Sequence, residues 1–174
     1  MSQPASSIKI TAGNIVDEAV DAIVNAANEA LISGGGVDGA IARAAGPGLE
    51  VARRALGGCA VGEAKYTLGF NLKANYIIHT VAPRYFFSAY DTDKRELLAR
   101  CYENSLNLAK SLDVKSIAFP ALGTGAYGWP HEEAAPIAIH AITKWQKENA
   151  NYGLQVKIIL AHADVFVIYN TKRE

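Results

Sequence analysis

The chain has 174 residues, with 17 basic and 17 acidic side chains and a pI near 6.9, which argues against broad electrostatic capture of nucleic acid or anionic membranes. Half of the residues are hydrophobic, and a chain of this length can bury a core without metal or disulfide support. Cys59 and Cys101 lie far apart, which favours buried free thiols, and residues 1–7 lack a signal peptide, so a cytoplasmic location is expected.

The hydrophobic pattern predicts strands and helices that alternate along one domain of residues 1–174. Strands are predicted at 8–10, 22–26, 63–68, 75–81, 117–120 and 154–160. Helices are predicted at 37–45, 48–56, 94–112, 131–147 and, with Asp164 near its cap, 164–172. This order predicts an α/β fold, a three-layer α/β/α sandwich with a mixed, mostly parallel central sheet.

Three consecutive glycines follow the predicted strand at 22–26. Gly34, Gly35 and Gly36 have no Cβ, so their N–H groups can approach a ligand closely. The helix that begins near Val37 directs its free N–H groups and positive dipole end into the same space, which suits a phosphate. Taken alone, such a run could equally be a plain connection between two elements.

A second glycine loop, at 120–130, again lies between a predicted strand and a predicted helix. Two such loops could flank one diphosphate at the C-terminal edge of a sheet, where open α/β folds bind ligands. Neither loop contains the Gly-Lys-Ser or Gly-Lys-Thr sequence of a nucleoside triphosphate site. We therefore expect backbone amides, rather than a lysine, to hold the diphosphate.

These motifs give the chain a resemblance to the macrodomains, which bind ADP-ribose, and within them to the MacroD-type ADP-ribosyl hydrolases. The similar segments, which span almost the whole chain, are 13–15, 21–28, 34–41, 43–46, 62–64, 77–83 and 123–128. The resemblance implies that ADP-ribose lies between the two glycine loops, with its adenine near Asn14 and its distal ribose near Asn28 and Tyr127. The binding residues that it implies are Asn14, Ile15, Asn28, Gly34, Gly35, Gly36, Val37, Gly123, Thr124, Gly125, Ala126 and Tyr127.

Asn28 and Asp38 are the predicted catalytic residues. The amide of Asn28 matches the donors and acceptors of a ribose diol, although Asn also closes turns after strands. In hydrolytic macrodomains the residue that matches Asp38 lies beside the distal ribose and is proposed to orient the attacking water. Because a helix start favours the charged form of a carboxylate, we expect Asp38 to position water and stabilise charge rather than to act as a full general base.

The chain departs from the family pattern at three places. Asn14 replaces a common Asp near the adenine, which removes charge assistance. Ala42 replaces a frequent His one helical turn after Asp38, so a mechanism that needs an Asp–His pair there is in doubt. The last strand offers no aromatic residue to stack on adenine, which leaves His162 or Phe166 as substitutes.

The remaining histidines are expected to be structural. His79 lies in an apolar strand and is interpreted as a core histidine, while His131 and His140 are interpreted as helix-face residues. No group has the spacing of zinc ligands, so no metal and no cofactor are predicted.

The resemblance implies an enzyme that removes ADP-ribose from acidic side chains of proteins or deacetylates O-acetyl-ADP-ribose. Its expected partners are ADP-ribose and ADP-ribosylated proteins, and no membrane. Two alternatives remain open: a non-catalytic ADP-ribose reader, and removal of ADP-ribose from nucleic acid in the same pocket.

Overall fold

Six strands and five helices lie within residues 7–172, the part of the chain that the computed structural model describes. The strands are β1 (Ile8–Ala12), β2 (Ala22–Ala26), β3 (Ala64–Leu68), β4 (Tyr76–Thr80), β5 (Ser116–Phe119) and β6 (Gln155–Leu160). The helices are α1 (Gly36–Ala45), α2 (Gly48–Ala55), α3 (Lys94–Ser111), α4 (His131–Glu148) and α5 (Phe166–Lys172). Two short 3-10 turns, Ile15–Asp17 and Ala163–Val165, complete these elements.

The strands form one sheet in the order β1-β6-β5-β2-β4-β3. In this order the first five strands, β1, β6, β5, β2 and β4, are all parallel to their neighbours. The edge strand β3 pairs antiparallel to β4. The predicted mixed, mostly parallel sheet is therefore confirmed.

The inner strands bury both of their faces. Val24 and Ile78 pack in one hydrophobic cluster with residues of α3, α4 and α5. Their neighbours Ile23 and Ile77 point the opposite way and pack in a second cluster with residues of α1 and α2. Burial on both sides explains the nearly continuous apolar runs in these strands, and it confirms the three-layer α/β/α sandwich.

The ends of the predicted elements either coincide with the observed ends or differ from them by one or two residues. The 3-10 turn at Ile15–Asp17 is not predicted. At the C-terminal end, Asp164 lies inside the second 3-10 turn instead of capping a helix, and α5 begins at Phe166. The polar segment 1–6 and residues 173–174, on which the expected location and domain limits partly depend, lie outside the described residues.

No helix within residues 7–172 is long and apolar enough to cross a membrane. Cys59 and Cys101 are both buried and unpaired by disulfides, as the sequence predicts.

Candidate ligand-binding site

A cavity of about 890 Å³ opens at one edge of the sheet. The carboxyl ends of β1, β2, β4, β5 and β6 meet at this edge because these strands are parallel, and the loops that follow them line the cavity. Every residue that the sequence predicts for the site lies in this lining: Asn14, Ile15, Asn28, Gly34, Gly35, Gly36, Val37, Asp38, Gly123, Thr124, Gly125, Ala126 and Tyr127.

The first glycine loop leads directly into α1. Gly36, the first helical residue, has a φ of 55°, which favours glycine. A Cβ on Gly39 would lie 2.8 Å from the carbonyl oxygen of Gly34, so this glycine allows the loop to fold back onto the helix. The loop and the helix start therefore form one compact wall of the cavity.

The second glycine loop is anchored to the core by Trp129. The backbone N–H of Trp129 donates to the carbonyl of Gly123 at 3.0 Å, and its indole N–H donates to the carbonyl of Pro83 at 2.9 Å. Gly123 has a φ of 83°, and a Cβ there would lie 2.8 Å from Cδ1 of Trp129. The contact between this glycine and the buried indole sets the path of the loop.

Both loops present backbone donors without protein partners. The N–H groups of Gly35 and Gly36 donate to no acceptor within residues 7–172, and no side chain caps α1. The same is true, within that range, of the N–H groups of Gly125, Ala126 and Tyr127 in the second loop. Two sets of such N–H groups in one cavity lining, one of them at a helix N-terminus, suit an anion.

The side chain of Asn28 is held by the backbone four residues on. Its Nδ2 donates to the carbonyl of Ile32 at 2.9 Å, and its Oδ1 accepts from the N–H of Ile32 at 3.1 Å. The amide thus closes a turn and also lines the cavity. One N–H and one lone pair of the amide remain for a ligand.

The carboxylate of Asp38 is buried and receives three hydrogen bonds. Asn25 Nδ2 donates to Oδ1 at 2.6 Å, Arg53 Nη1 donates to Oδ1 at 2.5 Å, and the N–H of Gly34 donates to Oδ2 at 2.6 Å. A carboxylate has about four acceptor positions, so one position on Oδ2 stays open. A Cβ on Gly34 would lie 3.7 Å from both this Oδ2 and Nδ2 of Asn28, so the two predicted catalytic side chains flank the same small volume.

A series of hydrogen bonds leads from Asp38 into the core. Asn25 Nδ2 also lies 3.1 Å from Nδ1 of His79, and His79 Nε2 lies 3.0 Å from Oγ1 of Thr67. Burial, reinforced by the charge of Arg53, lowers the pKa of His79 to about 3. His79 is therefore a neutral, hydrogen-bonded core histidine, as predicted, and its contact with Nδ2 helps to hold the Asn25 amide in place.

Asn14 and the residues after β6 form the other end of the cavity. Asn14 Oδ1 caps the 3-10 turn by accepting from the N–H of Val16 at 3.2 Å. His162 lines the cavity, whereas Phe166 is not in the lining and packs against the main core cluster. His131 also lines the cavity, which corrects its interpretation as only a helix-face residue, and burial lowers its pKa.

Few charges face the cavity. Among its described lining residues, Arg84 and Asp38 carry the only formal charges, and none is a lysine. The Arg84 guanidinium lies 5.0 Å from the centre of the Tyr127 ring, which places it beside the second loop. No cluster of His, Cys, Asp and Glu within residues 7–172 could hold a metal ion.

The fold and the cavity belong to a known class. The Macro domain family model matches residues 24–138 of the chain. The chain therefore belongs to the macrodomain family, which confirms the resemblance.

The chain is similar to curated relatives and to solved structures along most of its length. It is 53% identical over 142 residues to a macro domain-containing protein of Methanosarcina mazei, covering 82% of this chain and 75% of the relative. It is 48% identical over 142 residues to human ADP-ribose glycohydrolase MACROD2, covering 82% of this chain but only 33% of that protein. A mutant of the Oceanobacillus iheyensis macrodomain with ADPR has a TM-score of 0.90 and 38% identity, with 99% of this chain and 95% of the other covered.

Proposed function

We propose that this chain binds ADP-ribose and hydrolyses mono-ADP-ribosyl esters, both on Glu or Asp of proteins and in O-acetyl-ADP-ribose. The main support for binding is that two loops in the lining of one cavity carry N–H groups without an acceptor within residues 7–172. The similarity to an ADP-ribose glycohydrolase and to a macrodomain with ADPR supports the choice of ligand.

In the proposed complex the diphosphate lies between the glycine loops. Backbone N–H groups and the α1 terminus are its main charge compensation, since the described lining residues include no lysine and Arg84 is their one cation. The adenine lies near Asn14 and Ile15, where His162 is available for stacking. The distal ribose lies near Asn28 and Tyr127.

Asp38 is proposed to orient the water that cleaves the ester. Hydrolysis breaks either the bond between the acyl carbon and a ribose oxygen or the bond between the carboxyl oxygen and the anomeric carbon. Water gives its hydroxyl group to the acyl carbon or the anomeric carbon respectively, and its remaining proton goes to the oxygen that leaves or to solvent. The open position on Oδ2 can accept a hydrogen bond from this water, while three donors already stabilise the negative charge. Because three of its roughly four acceptor positions are already occupied, the carboxylate is proposed to orient the water while the substrate phosphate shares the proton transfer.

The proposal also covers the partners and the domain extent of the protein. Its partners are ADP-ribosylated proteins, and the whole chain, residues 1–174, forms a single macrodomain. The cytoplasmic location stays a prediction from the sequence.

Release of ADP-ribose from a modified protein tests the catalytic part of the proposal. The chain is incubated with a protein that carries mono-ADP-ribose on Glu, and free ADP-ribose is measured by liquid chromatography and mass spectrometry. We expect multiple turnovers. Tight binding of ADP-ribose without any release would identify the chain as a reader module.

Binding itself is expected to stabilise the fold. At a concentration of 100 times Kd, a ligand adds about 2.7 kcal/mol, which for a chain of this size corresponds to a rise in Tm of roughly 5–10 °C. AMP should bind far more weakly, because it lacks the second phosphate and the distal ribose. Calorimetry and thermal unfolding measure both ligands; no heat and no shift with millimolar ADP-ribose would contradict the proposal.

Replacing Gly123 by Ala is expected to weaken ADP-ribose binding about tenfold or more, because the new Cβ collides with Trp129 and displaces the second loop. Gly153→Ala is the matched control: Gly153 has a similar φ of 74° but no atom within 4 Å of a Cβ. Both changes carry the backbone cost of about 1–2 kcal/mol, and only the first should change the Kd measured by calorimetry. Equal Kd values for the two variants would contradict the role of the second loop.

A further inference from the structure

Arg53 on α2 is a buried cation that the sequence does not single out. It is 1% exposed, and its Nη1 lies 2.5 Å from Oδ1 of Asp38. Its Nε and Nη2 are buried and have no hydrogen-bond partner within residues 7–172. The adjacent Arg54, in contrast, has a side chain that is 75% exposed and pairs with Glu50 on the surface.

Stability alone is a poor explanation for a cation in this position. Burial of a charge is costly, and an ion pair offsets the cost only when the remaining donors are also satisfied. Among the described residues 7–172, only one nitrogen of Arg53 has a hydrogen-bond partner. An apolar side chain of similar volume would pack α2 at least as well. The guanidinium is therefore better explained by its effect on Asp38.

The donors around Asp38 determine which acceptor position of its carboxylate stays open. Arg53 and Asn25 together use both acceptor positions of Oδ1, and the N–H of Gly34 uses one position of Oδ2. The carboxylate can then offer the cavity only the remaining position of Oδ2. Ala42, one turn after Asp38 on α1, carries no polar group, so the cationic partner comes from the next helix.

We propose that Arg53 is a positioning residue, which holds the Asp38 carboxylate in an orientation that leaves one acceptor position of Oδ2 facing the cavity. Its effect on turnover rests on the proposed hydrolase function. The ion pair and its effect on the orientation of the Asp38 carboxylate do not depend on that function.

Arg53→Met, which retains the apolar stem, is the principal variant, and Arg54→Met is its matched control on the same helix. We expect Arg53→Met to lower kcat for ADP-ribose release about tenfold or more, with the Kd for ADP-ribose changed less than about threefold. Arg53→Lys, which keeps the charge without the planar fork, should recover part of kcat. Arg54→Met should change neither quantity.

A double-mutant cycle separates positioning from a general loss of structure. If Arg53 acts through Asp38, adding Arg53→Met to Asp38→Ala should change the residual kcat less than about twofold. An unchanged kcat in Arg53→Met, or an equal fold-loss in both backgrounds, would overturn the proposal. Where Arg53→Met does not fold, the same cycle with Arg53→Lys decides by the same criteria.

The NMR signal of the Gly34 N–H, which donates to Oδ2 of Asp38, decides the question if the unsubstituted chain shows no turnover, which would sink the hydrolase proposal alone. If Arg53 holds the carboxylate in its orientation, this amide proton should move upfield in Arg53→Met, because its hydrogen bond to Oδ2 lengthens or breaks. The same signal should stay in place in Arg54→Met. An unchanged Gly34 signal in Arg53→Met would overturn the role of Arg53.

Discussion

Asp38→Ala is expected to lower kcat for ADP-ribose release by roughly two orders of magnitude or more, the usual scale for a group that positions a reacting water. The change removes the open acceptor position on Oδ2 beside Asn28, so the water is no longer held near the distal ribose. ADP-ribose should still bind with a Kd within about tenfold, because the diphosphate and adenine contact other parts of the cavity. Turnover and calorimetric binding are measured on the same preparations.

The control for this experiment is the fraction of folded protein. Asp38→Ala leaves Arg53 buried without its partner, so both assays should be run at a temperature well below the Tm of the variant. Full activity of Asp38→Ala would show that the water is oriented by another group. Loss of ADP-ribose binding together with turnover would assign Asp38 to the shape of the glycine loop instead.

The layers of the fold are predictable because their causes are local. The near-continuous apolar runs of β2 and β4 predict strands that are buried on both faces, and Ile23, Val24, Ile77 and Ile78 do pack into opposite clusters. The end of α1 is likewise predicted by Gly46, which has a φ of 89° that few other residues adopt, and by the proline that follows it.

The hydrogen bonds of the site are not predictable in the same way, because they join residues that the fold brings together. Arg53 and Arg54 are adjacent on an amphipathic helix, and their exposures are opposite because α2 turns by about 100° per residue. If the helix phase assigned from the sequence is wrong by one residue, Arg54 is placed on the buried face and Arg53 on the exposed face. The single informative feature in the sequence is that Arg53 lies four residues after Leu49, which is fully buried on the same helix face.

Asn28 and Asn14 show how one residue type can have two roles that a sequence does not separate. Each amide completes a local backbone motif, at Ile32 and at Val16 respectively, and each also lines the cavity. The local motif holds the amide in one orientation, which reduces the entropy that a ligand contact would otherwise cost. The structural and the ligand-binding interpretations of these asparagines are therefore compatible.

The buried pair also leads to an expectation for stability. Asp38→Ala should lower the free energy of unfolding by about 3–5 kcal/mol, because it leaves the guanidinium of Arg53 buried without a counter-charge. Arg53→Met, added to this variant, removes the uncompensated charge and should recover more than half of the loss, although turnover should stay low. Unfolding in urea, with a common m-value, measures the three proteins.

The surface pair of Glu50 and Arg54 provides the comparison. Both side chains are well exposed, and the same two-step substitution, Glu50→Ala followed by Arg54→Met, should change stability by less than about 1 kcal/mol at each step. A double variant at 38 and 53 that is less stable than Asp38→Ala alone would show that Arg53 stabilises the fold through its stem or through other partners. A double variant that regains stability but not turnover would separate the effect of Asp38 on folding from its effect on catalysis. The folding defect would then depend on the uncompensated charge of Arg53, and the loss of turnover on the missing carboxylate.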